Sequence, residues 1–265
     1  MISRITMKKQ TTILVLAAFL FSMACQLLFP APSNRDGTII SSCTDLVGAF
    51  RSVQPGGAPQ SLLETGVKQG GEFDVSEYFE AFAHISMEEG YELEYVYQLD
   101  SLGAYPILYA YPVDQPPYLS MTDVPAGAEL GNYLDHVAVD DTEQGYFEFV
   151  AMNIMAGQFY LEWHANYNDT EIVCNDDDVD FIIKDLKDGN FGIPFDASQQ
   201  VKAQTMRDIE PLVKLTDKTA VVEIIAFTKW GGFYRQTYTI NRSFPHTILD
   251  VKLETVVEYD CGIMF

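Results

Sequence analysis

The sequence predicts an α+β fold that consists mostly of antiparallel β-sheet, in hairpins or a meander, with a few flanking helices. Segments in which apolar and polar residues alternate outnumber segments with helical spacing of apolar residues. Several alternating segments are joined by short turns that contain glycine, and such turns connect antiparallel strands rather than parallel ones. We predict one α+β domain over residues 34–265, with two subdomains, 34–188 and 189–265, as the alternative.

The N-terminus has the pattern of an export signal. Basic residues up to Lys9 precede an apolar run over residues 13–24, which is long enough for a signal peptide but short for a bilayer span. We therefore expect the protein outside the cytoplasm, where it is secreted, periplasmic or lipid-anchored to the cell envelope.

Two cleavage sites compete within this N-terminal segment. Small residues that end at Ser33 favour a signal peptide over residues 1–33. The sequence Ser-Met-Ala before Cys25 is instead similar to a lipobox, which would give a lipoprotein signal over residues 1–24 and leave Cys25 lipidated. An uncleaved anchor is the third alternative, because the apolar run continues past Cys25.

Helical spacing of apolar residues predicts helices over residues 44–53, 74–85 and 175–187. In the second of these, Asp74 stands at the position of a capping residue, and Glu77 follows at the capping-box position. In the third, acidic residues occupy the first turn and lysines the last, as the helix dipole favours.

Alternation with a period of two predicts two hairpins and a C-terminal meander. Their predicted bounds are 91–99 with 104–111, 146–155 with 158–167, and 219–228 with 233–240 and 249–259. In the last strand Leu249, Val251, Leu253 and Val257 share one face, which we expect to point inward.

The negative charge of the chain is concentrated in one region. The formal net charge is −22, and residues 69–183 contain 24 Asp and Glu, no Lys or Arg, and 12 of the 15 tyrosines. A field of this sign repels phosphate groups, so we predict no nucleic-acid partner and membrane contact only through an N-terminal lipid or anchor. The favoured partners are a neutral or cationic ligand or a basic protein surface.

Tyrosines of a half-exposed β surface favour sugars, peptides and cationic groups, because each ring has an apolar face and a polar hydroxyl. The candidate ligand-binding residues are Tyr95, Tyr97, Tyr109, Tyr160, Glu162, His164 and Asn166. The sequence therefore predicts an exported, non-catalytic binding or interaction protein with an acidic, tyrosine-rich surface.

The alternative function is an extracytoplasmic hydrolase that uses Asp, Glu or His of the same surface. No catalytic residue is assigned, because the chain contains no HExxH, GxSxG, GxxxxGK, CxxC or GxGxxG motif. Recognisable zinc proteases, nucleophile-elbow hydrolases, P-loop enzymes and dinucleotide-binding enzymes are thereby excluded.

Asp176, Asp178 and Asp180 have the spacing with which an EF-hand calcium loop begins. That loop then requires glycine at its sixth position and glutamate at its twelfth, where this chain has Phe181 and Lys187. Acidic residues in the first turn of a helix are therefore the preferred interpretation, and calcium is the alternative. No other cofactor is predicted.

Three cysteines follow Cys25 in the sequence. Cys174 and Cys261 each end a predicted strand, so we predict a disulfide between them. Cys43 lies near the first predicted helix and is expected to be a buried thiol.

Overall fold

The computed structural model of the protein describes residues 35–128, 130–189 and 192–262. The predicted signal peptide, both of its cleavage sites and the lipidation of Cys25 lie outside the described residues. The α-helices of the described part are α1 Cys43–Val53, α2 Gln60–Thr65, α3 Tyr78–Ala81, α4 Glu143–Met155, α5 Asp176–Asp188 and α6 Ala197–Gln204. The described residues from Gly37 onward form one compact unit.

The strands form three sheets. They are β1 Thr38–Ile39, β2 Ile85–Met87, β3 Tyr91–Asp100, β4 Gly103–Pro112, β5 Val137–Val139, β6 Glu162–Trp163, β7 Thr170–Val173, β8 Leu212–Leu215, β9 Thr219–Thr228, β10 Gly232–Asn241 and β11 Ile248–Glu258. One sheet has six strands, one contains β3, β4 and β6, and one contains β2 and β5. Every strand pairing among the described residues is antiparallel, which confirms the predicted α+β fold.

The central strand of the six-stranded sheet is β9. Along one edge it pairs with β10, and along the other it pairs with β8 and then β7. The sheet continues to β1 beyond β8 and to β11 beyond β10. Strands that precede residue 189 in the sequence and strands that follow it therefore belong to one sheet.

The six-stranded sheet is packed on both faces. Ala220, Val222 and Ile224 of β9 belong to a larger core, which also includes residues of α1, α4 and the β3–β4 hairpin. Ile225 and Phe227 belong to a smaller core on the opposite face, which they share with residues of α5 and α6. The larger core thus joins the six-stranded sheet to the three-stranded sheet.

The hairpin predicted over residues 146–167 is wrong, because its first half is the helix α4. The Thr142 hydroxyl accepts a hydrogen bond from the backbone N–H of Gly145 (3.0 Å) and caps the start of this helix. All residues from 145 to 152 are buried, so the helix has no polar face that would reveal a period of 3.6. Beyond α4, only the two residues of β6 form a strand before a 3₁₀ helix at His164–Asn168.

The other helix predictions differ in outcome. The helices α1 and α5 confirm those predicted over 44–53 and 175–187, and Asn175 caps α5 by accepting a hydrogen bond from the backbone N–H of Asp178 (3.1 Å). The helix predicted over 74–85 is limited to a 3₁₀ turn and α3, because the chain becomes extended before it enters β2. Of the helices that the structure describes, none has the length and apolar character needed to cross a membrane.

The disulfide joins Cys43 to Cys174, with a Cα–Cα distance of 5.6 Å, and Cys261 is a buried free thiol. This finding corrects the predicted bridge between Cys174 and Cys261. The side chains of Cys43 and Cys174 lie in the larger core, whereas Cys261 lies in the smaller core on the other face of the six-stranded sheet. The predicted pair is therefore separated by the sheet itself.

Candidate binding site

The tyrosine-rich hairpin carries acidic and phenolic groups on its outer face. The register of β3 and β4 places Glu92 opposite Tyr111 and Glu94 opposite Tyr109. Directly opposed residues in an antiparallel pair have side chains on the same face. The Tyr111 hydroxyl donates a hydrogen bond to the Glu92 carboxylate (2.6 Å). Burial and this hydrogen bond raise the pKa of Tyr111, so the phenol stays neutral beside the carboxylate.

A cleft of about 590 Å³ opens beside this outer face, where the chain segments 68–76 and 119 approach β3. Its polar lining consists of Lys68, Glu72, Asp74, Ser76, Tyr91, Glu92, Glu94 and Tyr111. Its apolar lining consists of Phe73, Phe79, Met87, Leu93 and Leu119. We call this site the acidic cleft, because four carboxylates and a single basic side chain line it.

Lys68 is the basic side chain of the acidic cleft, and it is firmly held. Its ammonium nitrogen lies 2.6 Å from the Glu94 carboxylate and 4.6 Å from the centre of the Tyr95 ring. Only 8% of Lys68 is exposed. A cation over an aromatic face gains electrostatic energy, more so when it is desolvated. The charge of Glu94 is therefore already compensated within the protein.

The carboxylates of Glu72, Asp74 and Glu92 are held by hydrogen bonds and not by ion pairs with lysine or arginine in the described part of the chain. Glu72 accepts hydrogen bonds from the backbone N–H groups of Gln69 and Gly70 (2.8 Å each). Asp74 accepts one from the backbone N–H of Ser76 (2.9 Å). Hydrogen bonds of this kind fix the position of a carboxylate without neutralising its charge.

A tight glycine turn creates the site of Glu72. Gly70 and Gly71 both have positive φ, +91° and +89°, a conformation that glycine adopts without the steric cost of a Cβ. Slight burial by itself would raise the pKa of Glu72, but the hydrogen bonds from Gln69 and Gly70, together with the charge of Lys68, lower it overall. Glu72 is therefore ionised at neutral pH.

The ring of Tyr91 is fixed at the edge of the cleft. It stacks on the ring of His136 with a centroid distance of 3.9 Å and an interplanar angle of 22°. The Nδ1 atom of His136 lies 2.7 Å from the Glu88 carboxylate, which orients the imidazole. Tyr91 is thus supported on one side, and it also lines the cleft.

Four of the predicted ligand-binding tyrosines are buried and do not line the acidic cleft. Tyr95 and Tyr97 lie in the larger core, where burial raises the pKa of Tyr97 to about 12 and its hydroxyl donates to the carbonyl of Tyr160 (2.6 Å). The hydroxyl of Tyr109 accepts a hydrogen bond from the backbone N–H of Tyr118 (2.7 Å). Tyr95 and Tyr97 therefore support the hairpin from beneath, whereas Tyr109 lies on the outer face with Glu94 and is buried there against Tyr118.

Tyr160 connects this core to the cleft wall. It has a positive φ of 52°, and its hydroxyl accepts a hydrogen bond from the backbone N–H of Phe73 (3.2 Å). Phe73 in turn lines the acidic cleft. Tyr160 therefore positions the wall of the site rather than facing into it.

The remaining predicted ligand-binding residues lie at the other end of the hairpin. Glu162 belongs to the short strand β6 and pairs with Ala104 of β4, and His164 and Asn166 lie in the following 3₁₀ helix. Ala104 and Tyr111 are seven positions apart along β4, roughly 23 Å at the usual rise of a strand. The structure therefore does not bring these residues together with the acidic cleft.

The three aspartates of the predicted calcium site have separate roles around α5. Asp176 lies in its first turn, and the Asp178 carboxylate accepts a hydrogen bond from the backbone N–H of Cys174 (2.7 Å). Asp180 accepts one from the side-chain amide of Gln204 (2.9 Å). Across the described residues, no group of three or more His, Cys, Asp or Glu is arranged to hold a metal ion.

The sequence did contain part of the signal for the cleft. The tight turn between β3 and β4 determines which residues are opposite one another, so Glu92 and Glu94 could be paired with Tyr111 and Tyr109 from the sequence alone. The contribution of Lys68 could not be found in this way, because it comes from an irregular segment with no period.

Comparisons with known proteins identify no relative. No protein-family model, no curated protein and no solved structure matches this chain. The acidic cleft itself is therefore the basis for assigning a function.

Proposed function

We propose that this is an exported, non-catalytic binding protein whose acidic cleft takes a cationic ligand, such as an organic amine or the basic side chain of a peptide. The observation that carries the proposal is the combination of tyrosine rings and of carboxylates that form no ion pair with lysine or arginine in the described part of the chain, around one concavity. Glu72, Asp74 and Glu92 supply the negative charge, and Tyr91 and Tyr111 supply the rings.

This lining suits both parts of an amine. The carboxylates attract the ammonium group, and tyrosine faces stabilise a cation within about 6 Å of the ring centre. The apolar side chains of the cleft, such as Met87 and Leu119, offer a surface for the alkyl chain that carries the charge. A volume of about 590 Å³ lies within the usual range for small-molecule sites.

Export is the second part of the proposal. It is supported by the basic and apolar N-terminal pattern and by the Cys43–Cys174 disulfide, because such bridges persist in oxidising compartments. Cleavage after Ser33 would release a secreted protein, and cleavage before Cys25 would leave a lipid anchor. The mass of the mature N-terminus distinguishes these outcomes, and an intact Met1 on cytosolic protein would contradict export.

The binding test uses a short peptide with a single lysine and the same peptide with acetyl-lysine, which keeps the chain length but removes the charge. Calorimetric or NMR titration should detect the lysine peptide and give much weaker binding for the acetylated one. The variant Glu92→Gln should weaken lysine binding about two- to fivefold, the value of one partly exposed charge pair.

Asp217→Asn is the matched control, because it removes the same charge from an exposed turn between β8 and β9. If both variants weaken binding equally, the lysine responds to the overall charge of the protein and the acidic cleft is not the site. Equal binding of the two peptides would exclude recognition of a cation. Cleavage of either peptide during the titration would instead favour the hydrolase alternative.

A further inference from the structure

The strand β11 is an edge of the six-stranded sheet with an unusual surface. Along one side it pairs with β10, and along the other it pairs with no strand among the described residues. Leu249, Val251 and Leu253 are 59%, 40% and 64% exposed. The sequence-based expectation that these side chains point inward is therefore wrong.

Two shifts of register interrupt the pairing of β11 with β10, and one of them leaves Leu249 over, between the pairs Thr239–Asp250 and Ile240–Ile248. The other shift explains why Val251 and Leu253 are exposed. Phe233 is opposite Val257, but the next residue of β10, Tyr234, is opposite Thr255, so one residue of β11 is left over. A bulge of this kind reverses which face the following side chains occupy. Val257 is therefore buried in the smaller core, whereas Val251 lies opposite Tyr238 on the other face of the sheet, beyond the edge of the larger core.

An exposed edge strand with apolar side chains is a template for pairing with another strand. Proteins that keep such an edge free of partners blunt it with proline, with charged residues such as lysine, or with bulges that twist the edge away. β11 contains no proline, its charged residues Asp250, Lys252 and Glu254 alternate with the apolar ones, and residues 250–255, between its two bulges, pair with β10 in one continuous register. The charged and the apolar side chains of β11 therefore occupy alternate positions along the same open edge.

We propose that β11 pairs antiparallel with β11 of a second copy of this chain, about a twofold axis that passes through Val251. In this register Val251 is opposite itself, and Leu249 is opposite Leu253 of the second copy on each side of the axis. Asp250 is opposite Lys252 of the second copy, again on both sides. The three apolar residues thus meet one another, and Asp250 and Lys252 meet opposite charges, whereas Glu254 lies opposite Ile248 of the second copy.

Neighbouring registers fit less well. An axis through Lys252 would place Lys252 opposite itself and Asp250 opposite Glu254, and like charges directly opposite are destabilising. An axis through Leu253 would pair Lys252 with Glu254, but it would place Val251 opposite Thr255. Charge complementarity together with apolar pairing therefore selects the axis through Val251.

The first test measures the mass of the purified protein by light scattering or sedimentation. The expected value is twice the mass of the purified chain, which is 29.8 kDa for all 265 residues and less once a signal peptide has been removed. Asp250→Lys and Lys252→Asp should each shift the protein toward monomer, because each places like charges opposite one another at two positions. The double variant should restore the dimer, and so should an equal mixture of the two single variants, whose charges are complementary.

The second test places a cysteine on the proposed axis. Val251→Cys should give a disulfide-linked dimer on a non-reducing gel, because opposed residues in an antiparallel pair lie at a distance that a disulfide can span. Leu253→Cys is the control, since Leu253 opposes Leu249 and not itself. Both positions are solvent-exposed, so folding can be checked by an unchanged melting temperature.

Three outcomes would overturn the proposal. A monomeric wild-type protein would mean that the edge is open or is covered by another part of its own chain, such as residues 1–34. A dimer that ignores the charge substitutions would lie elsewhere on the surface. Cross-linking of Leu253→Cys without cross-linking of Val251→Cys would require a different register.

Discussion

The central strand of the six-stranded sheet and the first strand of the three-stranded sheet use their side chains in different ways. Both faces of β9 are buried, by Val222 and Ile224 on one side and by Phe227 on the other. In β3 only one face is committed to the core, and the other presents Glu92 and Glu94 to the acidic cleft. The strand β9 thus serves stability alone, whereas β3 also has a face on which polar groups can be placed.

This difference has an energetic consequence. The Glu92 carboxylate on the outer face of β3 is exposed to water, so its presence costs little stability and its removal should also cost little. In β9, the four successive residues from Ile224 to Phe227 instead contribute buried apolar surface, at roughly 25 cal/mol per Å². Substitutions should therefore separate stability from binding according to which sheet they affect.

The largest expected effect on stability concerns the disulfide that links the helix α1 to the six-stranded sheet. The Cys43–Cys174 disulfide ties α1, in the core that both sheets share, to the end of β7 in the six-stranded sheet. It joins residues 131 positions apart, and the chain-entropy model gives about 5 kcal/mol for a loop of that length. The double variant Cys43→Ala/Cys174→Ala should lower the free energy of urea unfolding by about that amount.

Reducing agent provides the control for this prediction. It should destabilise the wild-type protein but leave the double variant unchanged, and a Cys261→Ala variant should still respond to it because Cys261 is a free thiol. Unfolding curves of the wild type that coincide with and without reductant would show that the bridge does not hold the two regions together.

A smaller loss is expected when the second face of β9 is opened. Phe227 is 1% exposed, and its ring lies 4.9 Å from that of Phe233 and 5.9 Å from that of Tyr259. Phe227→Ala should destabilise the protein by about 3–5 kcal/mol, because it removes buried surface and leaves a cavity. Phe181→Ala makes the same chemical change at a side chain that is 63% exposed, and it should have almost no effect.

Both variants should bind the lysine peptide as the wild type does, provided that the protein is folded. Equal destabilisation by Phe227→Ala and Phe181→Ala would contradict the view that both faces of β9 are structural. Loss of binding in folded Phe227→Ala would mean that the smaller core, and not only the outer face of β3, determines the cleft.

The sequence predicted those elements whose pattern differs between two faces or whose ends are marked. The β3–β4 hairpin and α5 are examples, because the first alternates around a tight turn and the second has Asn175 before it and an acidic first turn. In α4 the pattern fails, since eight buried residues in succession look the same as a buried strand. A strict period of two also misplaced Leu253, because a bulge in β11 reverses the faces.

The site was harder to predict than the fold for a related physical reason. Tyr95 and Tyr97 were selected as ligand-binding residues because strand tyrosines are often half-exposed, but both lie in the larger core, where the ring of Tyr95 is 4.9 Å from that of Phe159. The residues that do surround the cleft include Glu72 and Lys68, which come from an irregular segment. Their positions depend on tertiary packing, which cannot be predicted from the local periodicity of the sequence.

The smallest expected effect on stability comes from a substitution of Lys68. This substitution tests the comparison of β9 with β3 most sharply, because it should lower stability and strengthen binding at the same time. Lys68→Met keeps a long apolar side chain but removes the charge between Glu94 and the Tyr95 ring. Leaving a half-buried carboxylate without its partner should cost about 1–3 kcal/mol in the free energy of unfolding. The same change frees the charge of Glu94, so the lysine peptide should bind about two- to fivefold more tightly.

Lys218→Met is the matched control for that prediction, since it removes one positive charge from an exposed turn outside the cleft. It should leave unfolding within about 0.5 kcal/mol of the wild type. Tighter binding in both variants would point to the overall field of the protein, which is screened within about 8 Å at physiological ionic strength. Weaker binding in Lys68→Met would show that Lys68 holds the cleft in shape, so that on this face of β3 stability and recognition are not separable.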